Sequence, residues 1–149
     1  MYLVRVKDSF CAAHHLVFGK GAAEAGHGHE WAVEAIVACP GLDATGIGVD
    51  FRAVKRVLHR LLDTELDHRN LNSIRGVSTP NPTSEIVARW IADRLGPRIA
   101  ALRPGIRLAA VTVWETPDCG VTLDIEPAPA AARTSSRGNR VARGASRGR

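Results

Sequence analysis

The hydrophobic period of this chain switches from two to helical and back again, and that pattern limits its folds more than any other feature. From residue 2 to 14 the side chains alternate. Val4, Val6, Phe10, Ala12 and His14 share one parity; Arg5, Lys7, Ser9 and His15 share the other. A period of two belongs to a half-buried strand, so His14 is expected inward and His15 outward. A second strand, rich in Val and Ile, is expected from His27 to Cys39, followed by a turn at Asp43-Ala-Thr-Gly46. The period then lengthens. Asp50 stands where an N-cap would open a helix through about Glu65, with Phe51, Val54, Val57, Leu58, Leu61 and Leu62 as its apolar stripe. Pro82 and Thr83 open a second helix, which buries Ile86, Val87, Trp90, Ile91 and Leu95 and stops at Gly96-Pro97. Ile106 to Glu115 and Gly120 to Ile125 return to strand. The order strand, strand, helix, helix, strand, strand predicts an α+β fold, an antiparallel sheet with two helices on one face.

At 149 residues the chain fits one domain. Its net charge of +5 would suggest a polyanionic partner, but the charge is not evenly spread. Arginines 133, 137, 140, 143, 147 and 149 lie beyond the last acidic residue, so residues 1–127 carry 14 basic and 15 acidic side chains. Residues 1–127 are therefore expected to form the domain. Residues 128–149 are read as a disordered Arg-rich tail that attracts nucleic acid only non-specifically. No apolar run approaches the roughly 20 residues of a membrane span, and the charged N-terminus does not read as a signal peptide. Cys11, Cys39 and Cys119 are odd in number and widely spaced, which points to a reducing cytoplasm rather than a disulfide framework.

His27-Gly28-His29 places two imidazoles on one face of a strand. With His14 inward on the preceding strand, three histidines can converge. Such a set suits Zn²⁺ with one position open to water or substrate; the alternative is three histidines satisfied by ordinary hydrogen bonds. His15 and His59 are expected at the surface.

Six segments in order then resemble the 6-pyruvoyl-tetrahydropterin synthase family, which includes the 6-carboxytetrahydropterin synthases of the queuosine route. They are Phe10-Cys-Ala-Ala-His14, His27-Gly-His29, Val49-Asp-Phe51, Leu66-Asp-His68 with Leu71-Asn72, Asn81-Pro-Thr-Ser-Glu85 and Trp114-Glu-Thr-Pro117. The resemblance spans about residues 2 to 125. It implies a tunnelling fold assembled as an oligomeric barrel, a trimer or homohexamer with active sites between subunits. It also implies zinc on His14, His27 and His29, and 7,8-dihydroneopterin triphosphate as substrate. By the same resemblance Asp67 and His68 form an acid/base element, and Glu115 anchors the pterin ring, as a carboxylate accepting two parallel N–H bonds can. Thr83 and Ser84 line the pterin pocket, although Thr83 could equally serve only as a helix cap.

The chain departs from the family at one place. Members that make 6-pyruvoyl or 6-carboxy products carry a cysteine four residues before the first HGH histidine, and here that residue is Ala23. Glu24 stands three residues before His27, giving an ExxHGH arrangement similar to a subgroup that forms 6-hydroxymethyl-7,8-dihydropterin for folate synthesis. A carboxylate there can act as general base for a retro-aldol cleavage; as a lone loop charge it would do nothing chemical. Three readings follow: a zinc-dependent carbon–carbon lyase releasing the hydroxymethyl product, a 6-carboxytetrahydropterin synthase with a rearranged site, and a non-catalytic pterin- or metal-binding module.

Overall fold

In the computed structural model, which describes residues 1–126, β1 (Tyr2–His14) and β2 (His27–Cys39) pair antiparallel along their full length, from Tyr2 opposite Cys39 to His14 opposite His27. The alternation fixes this register, because a slip of one residue would turn every apolar side chain to the wrong face. β4 (Arg107–Thr116) pairs antiparallel with β2, and β5 (Cys119–Asp124) with β4. A bulge opposite Ile36 and Val37 interrupts the β2–β4 ladder.

The helices form where their caps predict. Asp50 accepts a hydrogen bond from the Arg52 backbone N–H at 2.9 Å and opens α1 (Phe51–Glu65). Thr83 accepts from the Ile86 N–H at 3.4 Å and opens α2 (Ser84–Ala100). α1 packs over β1, and α2 over β4 and β5. The core lies between helices and sheet, where Phe10, Trp31, Val33 and Val113 meet Leu58, Leu62, Ile91 and Leu95. Each fully buried side chain of this kind contributes about 1.5–3 kcal/mol. The opposite face of the sheet is polar: Arg5 pairs with Glu34 at 2.8 Å, and Lys7 lies over the Trp114 ring.

Four expectations need correction. The sheet is mixed rather than purely antiparallel, because a two-residue strand, β3 (Arg69–Asn70), pairs parallel with β1 at Ala12 and Ala13 and gives the order β3-β1-β2-β4-β5. α2 does not stop at Gly96-Pro97 but runs through Pro97 to Ala100, burying Ile99 completely. That burial offsets much of the roughly 3 kcal/mol a helical proline costs. Phe51 is 64% exposed rather than part of the core, because it opens α1 beyond the packed stripe and shares a surface groove with Tyr2, Leu42 and Ile47. Ile86, expected on the buried face of α2, is only half-buried. The tail assigned to residues 128–149 lies outside the described residues. No described helix is long and apolar enough to cross a membrane.

Candidate metal centre and active site

The last residue of β1 and the first three of β2 bring His14, His27 and His29 together, as their parity requires. His14 is buried, with its Nδ1 2.9 Å from the Pro82 carbonyl. His27 places Nδ1 3.0 Å from the Ala25 carbonyl. A carbonyl only accepts, so both rings carry their proton on Nδ1 and direct an Nε2 lone pair inward. Those two Nε2 atoms stand 3.1 Å apart. Two lone pairs facing each other at that distance repel unless a cation lies between them. The Nε2 of His29 is buried with no hydrogen-bond partner among the described residues, an orphaned polar atom of the kind a metal satisfies.

Glu115, near the end of β4, completes the cluster. Its Oε1 lies 3.3 Å from the Nε2 of both His14 and His29, and one donor atom from each of the four residues falls within 4.8 Å of the others. Tetrahedral zinc with bonds of about 2.0–2.1 Å separates its ligands by roughly 3.3 Å, so the donor set fits such an ion. Ser84 Oγ donates to the other carboxylate oxygen at 3.2 Å. Trp31 underlies the cluster: its indole N–H donates to the Ala12 carbonyl at 3.2 Å, and its ring meets His14 and His29 edge-on.

The segment after His14 folds back on residues 22–24, with Val17 bridged antiparallel to Ala23 and the Glu24 N–H donating to the Leu16 carbonyl at 3.1 Å, and side chains tie it further. The backbone N–H groups of His15, Leu16 and Val17 donate to Asn72 Oδ1, Glu24 Oε1 and Asn81 Oδ1 at 2.9, 2.8 and 2.8 Å. Both asparagines also donate back, Asn72 to the His15 carbonyl and Asn81 to the Val17 carbonyl, each at 2.9 Å. Glu24 thus sits outside the four-residue cluster but is tied two residues from His14. His15 is half-buried in this clamp rather than fully at the surface. Neither asparagine had a role assigned from the sequence, although both lie inside the matching segments. An isolated Asn that pairs with a distant backbone leaves no periodic signal.

Asp67 and His68 form a pair, His68 Nδ1 lying 2.6 Å from Asp67 Oδ2. The Cys11 backbone N–H donates to Asp67 Oδ1 at 2.7 Å. That bond first, and the one from His68 second, hold the Asp67 carboxyl below its ordinary range. His68 adopts a left-handed backbone with φ of 54° and donates its N–H to the Cys11 carbonyl; its side chain is 82% exposed. It shares an open cavity of about 570 Å³ with His29, Cys11 and Arg69. Thr83 caps α2, and Ser84 reaches Glu115. His59, at the surface as expected, pairs with Asp8.

A helix-backed sheet that gathers three imidazoles and a carboxylate at one end defines a small α+β domain with a candidate metal centre. Residues 3–126 match the family described as 6-pyruvoyl tetrahydropterin synthase, and the chain belongs to that family, a lyase by that membership. It is 36% identical over 119 residues to a Pyrococcus furiosus protein named dihydroneopterin monophosphate aldolase, covering 79% of this chain and 93% of that one. It is 35% identical over 99 residues to a Synechocystis 6-carboxy-5,6,7,8-tetrahydropterin synthase, covering 64% and 75%. The structure of Caenorhabditis elegans 6-pyruvoyl tetrahydropterin synthase superposes with a TM-score of 0.65 at 28% identity, covering 85% of this chain and 98% of that one.

Proposed function

We propose that the protein is a zinc-dependent carbon–carbon lyase that cleaves the side chain of a dihydroneopterin phosphate and releases 6-hydroxymethyl-7,8-dihydropterin. The observation that carries this reading is the convergence of three imidazole nitrogens, two of them with lone pairs directed inward, on one point. It occurs in a chain 36% identical to a protein named an aldolase. His14, His27 and His29 hold the metal, which when bound supplies Lewis-acid polarisation of a substrate oxygen. Glu115 and Ser84, with Thr83 beside them, receive the pterin ring.

The residues divide the proton work. Glu24 keeps one oxygen on the Leu16 N–H, and the other takes the proton of the hydroxyl one carbon beyond the scissile bond. That hydroxyl carbon leaves as an aldehyde. The electron pair of the broken bond enters the C6=N5 imine of the ring, and protonation at the remaining carbon leaves the hydroxymethyl group. His68 returns that proton from Nε2, since Asp67 engages Nδ1. His68 is largely exposed in its own protomer, which suits a site completed between subunits of a trimer or hexamer. The three free thiols suit a reducing cytoplasm.

Similarity to the Synechocystis protein favours a second reading, a 6-carboxytetrahydropterin synthase. Zinc-loaded protein incubated separately with 7,8-dihydroneopterin monophosphate and triphosphate, with products identified by mass spectrometry, separates the two. The expected result is a 6-hydroxymethyl product whose formation drops about 10²–10⁴-fold in Glu24→Gln. A 6-carboxy product that survives the substitution supports the second reading.

A further inference from the structure

The geometry points to Glu115 as an exchangeable fourth ligand, one that closes the metal centre until a pterin ring draws the carboxylate away. The inference rests on the reading of the three histidines as a metal site, and it concerns what occupies the remaining position before substrate arrives.

Three observations support it. Oε1 is equidistant, at 3.3 Å, from the Nε2 atoms of His14 and His29, close to the ligand-to-ligand spacing of a tetrahedral ion. The second oxygen is not free to turn inward, because Ser84 Oγ holds it at 3.2 Å from a nearly buried position in the first turn of α2. The carboxylate therefore presents a single oxygen to the cluster in a fixed orientation. The side chain is also 30% exposed, and the β4–β5 register is irregular between Trp114 and Thr116, so the residue has room to leave.

The chemistry of the substrate supplies the exchange. The aminopyrimidinone edge of a pterin offers two parallel N–H donors, as a guanidinium does, and a carboxylate that accepts both must use both oxygens. Oε2 can keep Ser84 on one lone pair and accept one N–H on the other, but an Oε1 turned toward the histidines is misdirected for the second N–H. Ring binding and metal ligation thus compete for one side chain, and the ring shifts the equilibrium by its preference for the open state. A site with four protein ligands is closed to water and stray anions, and a site with three is open. Arrival of the ring opens the position just when the substrate's side-chain oxygen is beside it.

The test uses the full chain loaded with Co²⁺ as a spectroscopic probe, with zinc affinity measured in parallel by chelator competition. Wild type is expected to show one absorption spectrum alone and a different one when unsubstituted pterin, which lacks the reactive side chain, is added. Glu115→Gln should show an altered spectrum before pterin is added, little further change after it, and zinc binding weakened about 10-fold or more. Ser84→Ala, which leaves all four donors in place, should move the spectrum of the free protein part of the way. A Glu115→Gln spectrum and affinity equal to wild type overturn the inference while leaving the three-histidine site intact. Wild-type protein that binds neither Co²⁺ nor Zn²⁺ overturns the inference together with the zinc-dependent reading beneath it.

Discussion

Replacing Asn72 tests how much a side-chain amide contributes to holding the chain just beyond β1. Its amide accepts from the His15 N–H and donates to the His15 carbonyl, both at 2.9 Å in a partly buried setting. Two neutral hydrogen bonds contribute about 1 kcal/mol each. Water can reach half-buried His15 once the amide is gone, so Asn72→Ala should lose about 1–2 kcal/mol. For a domain of this size that lowers Tm by roughly 3–8 °C, and exchange of the His15 amide should quicken. Asn72→Asp keeps the acceptor but turns an ionised oxygen toward the His15 carbonyl, so near neutral pH it should be less stable than Asn72→Ala. The repulsion raises the folded-state pKa of the new carboxyl above its unfolded value. The penalty is then present above the folded pKa and fades as pH falls, when the protonated acid regains a donor. Denaturant unfolding of all three proteins from pH ~7 to ~4, expressed as differences from wild type, reads this out. An Asn72→Ala protein within ~0.3 kcal/mol of wild type, or an Asn72→Asp deficit that grows on acidification, would refute the reasoning.

Three further outcomes follow. Asp67 has its carboxyl held low by the Cys11 N–H and His68, so its stabilising effect is present above the ordinary carboxylate pKa and lost as pH falls through the lowered folded value; Asp67→Asn should flatten the acid limb of a stability–pH profile. In Gly120→Ala the new Cβ would sit 2.5 Å from Trp114 Cδ1 and 2.9 Å from the Val113 carbonyl, so chemical denaturation should show a loss of about 1–3 kcal/mol, with Trp114 fluorescence shifted. Removing metal with a chelator should lower Tm in proportion to RT ln(1 + [metal]/Kd), and adding Zn²⁺ back should restore it.

β1 was legible from its alternation over residues 2–14, β2 from its Val- and Ile-rich run, and α1 because Asp50 and a helical stripe agree. The three histidines could be placed from parity alone. β3 left no trace, since two polar residues carry no period and their parallel pairing depends on where α1 delivers the chain. The end of α2 misled because Gly96-Pro97 is a strong local stop, and only the tertiary burial of Ile99 overrides it. Glu115 stood out as a candidate site residue through the family resemblance, but not as a neighbour of the histidines. That proximity requires β4 to lie beside β2, a pairing no local pattern encodes.

The bulge opposite Ile36 and Val37 acts as a phase shifter. On one side of it Leu108 faces the helices opposite Val37; on the other, Val111 and Val113 face them opposite Ala35 and Val33, three and five residues on rather than two and four. The extra residue takes up one step of the alternation, so the two halves of β4 keep independent frames. Glu115 inherits its facing from the second half alone. Gaining or losing one residue before Ala109 would change how the strand enters the sheet without turning Glu115 away from the histidines. Removing the extra residue of the bulge itself would force a choice between burying Leu108 and keeping that carboxylate on the helix face.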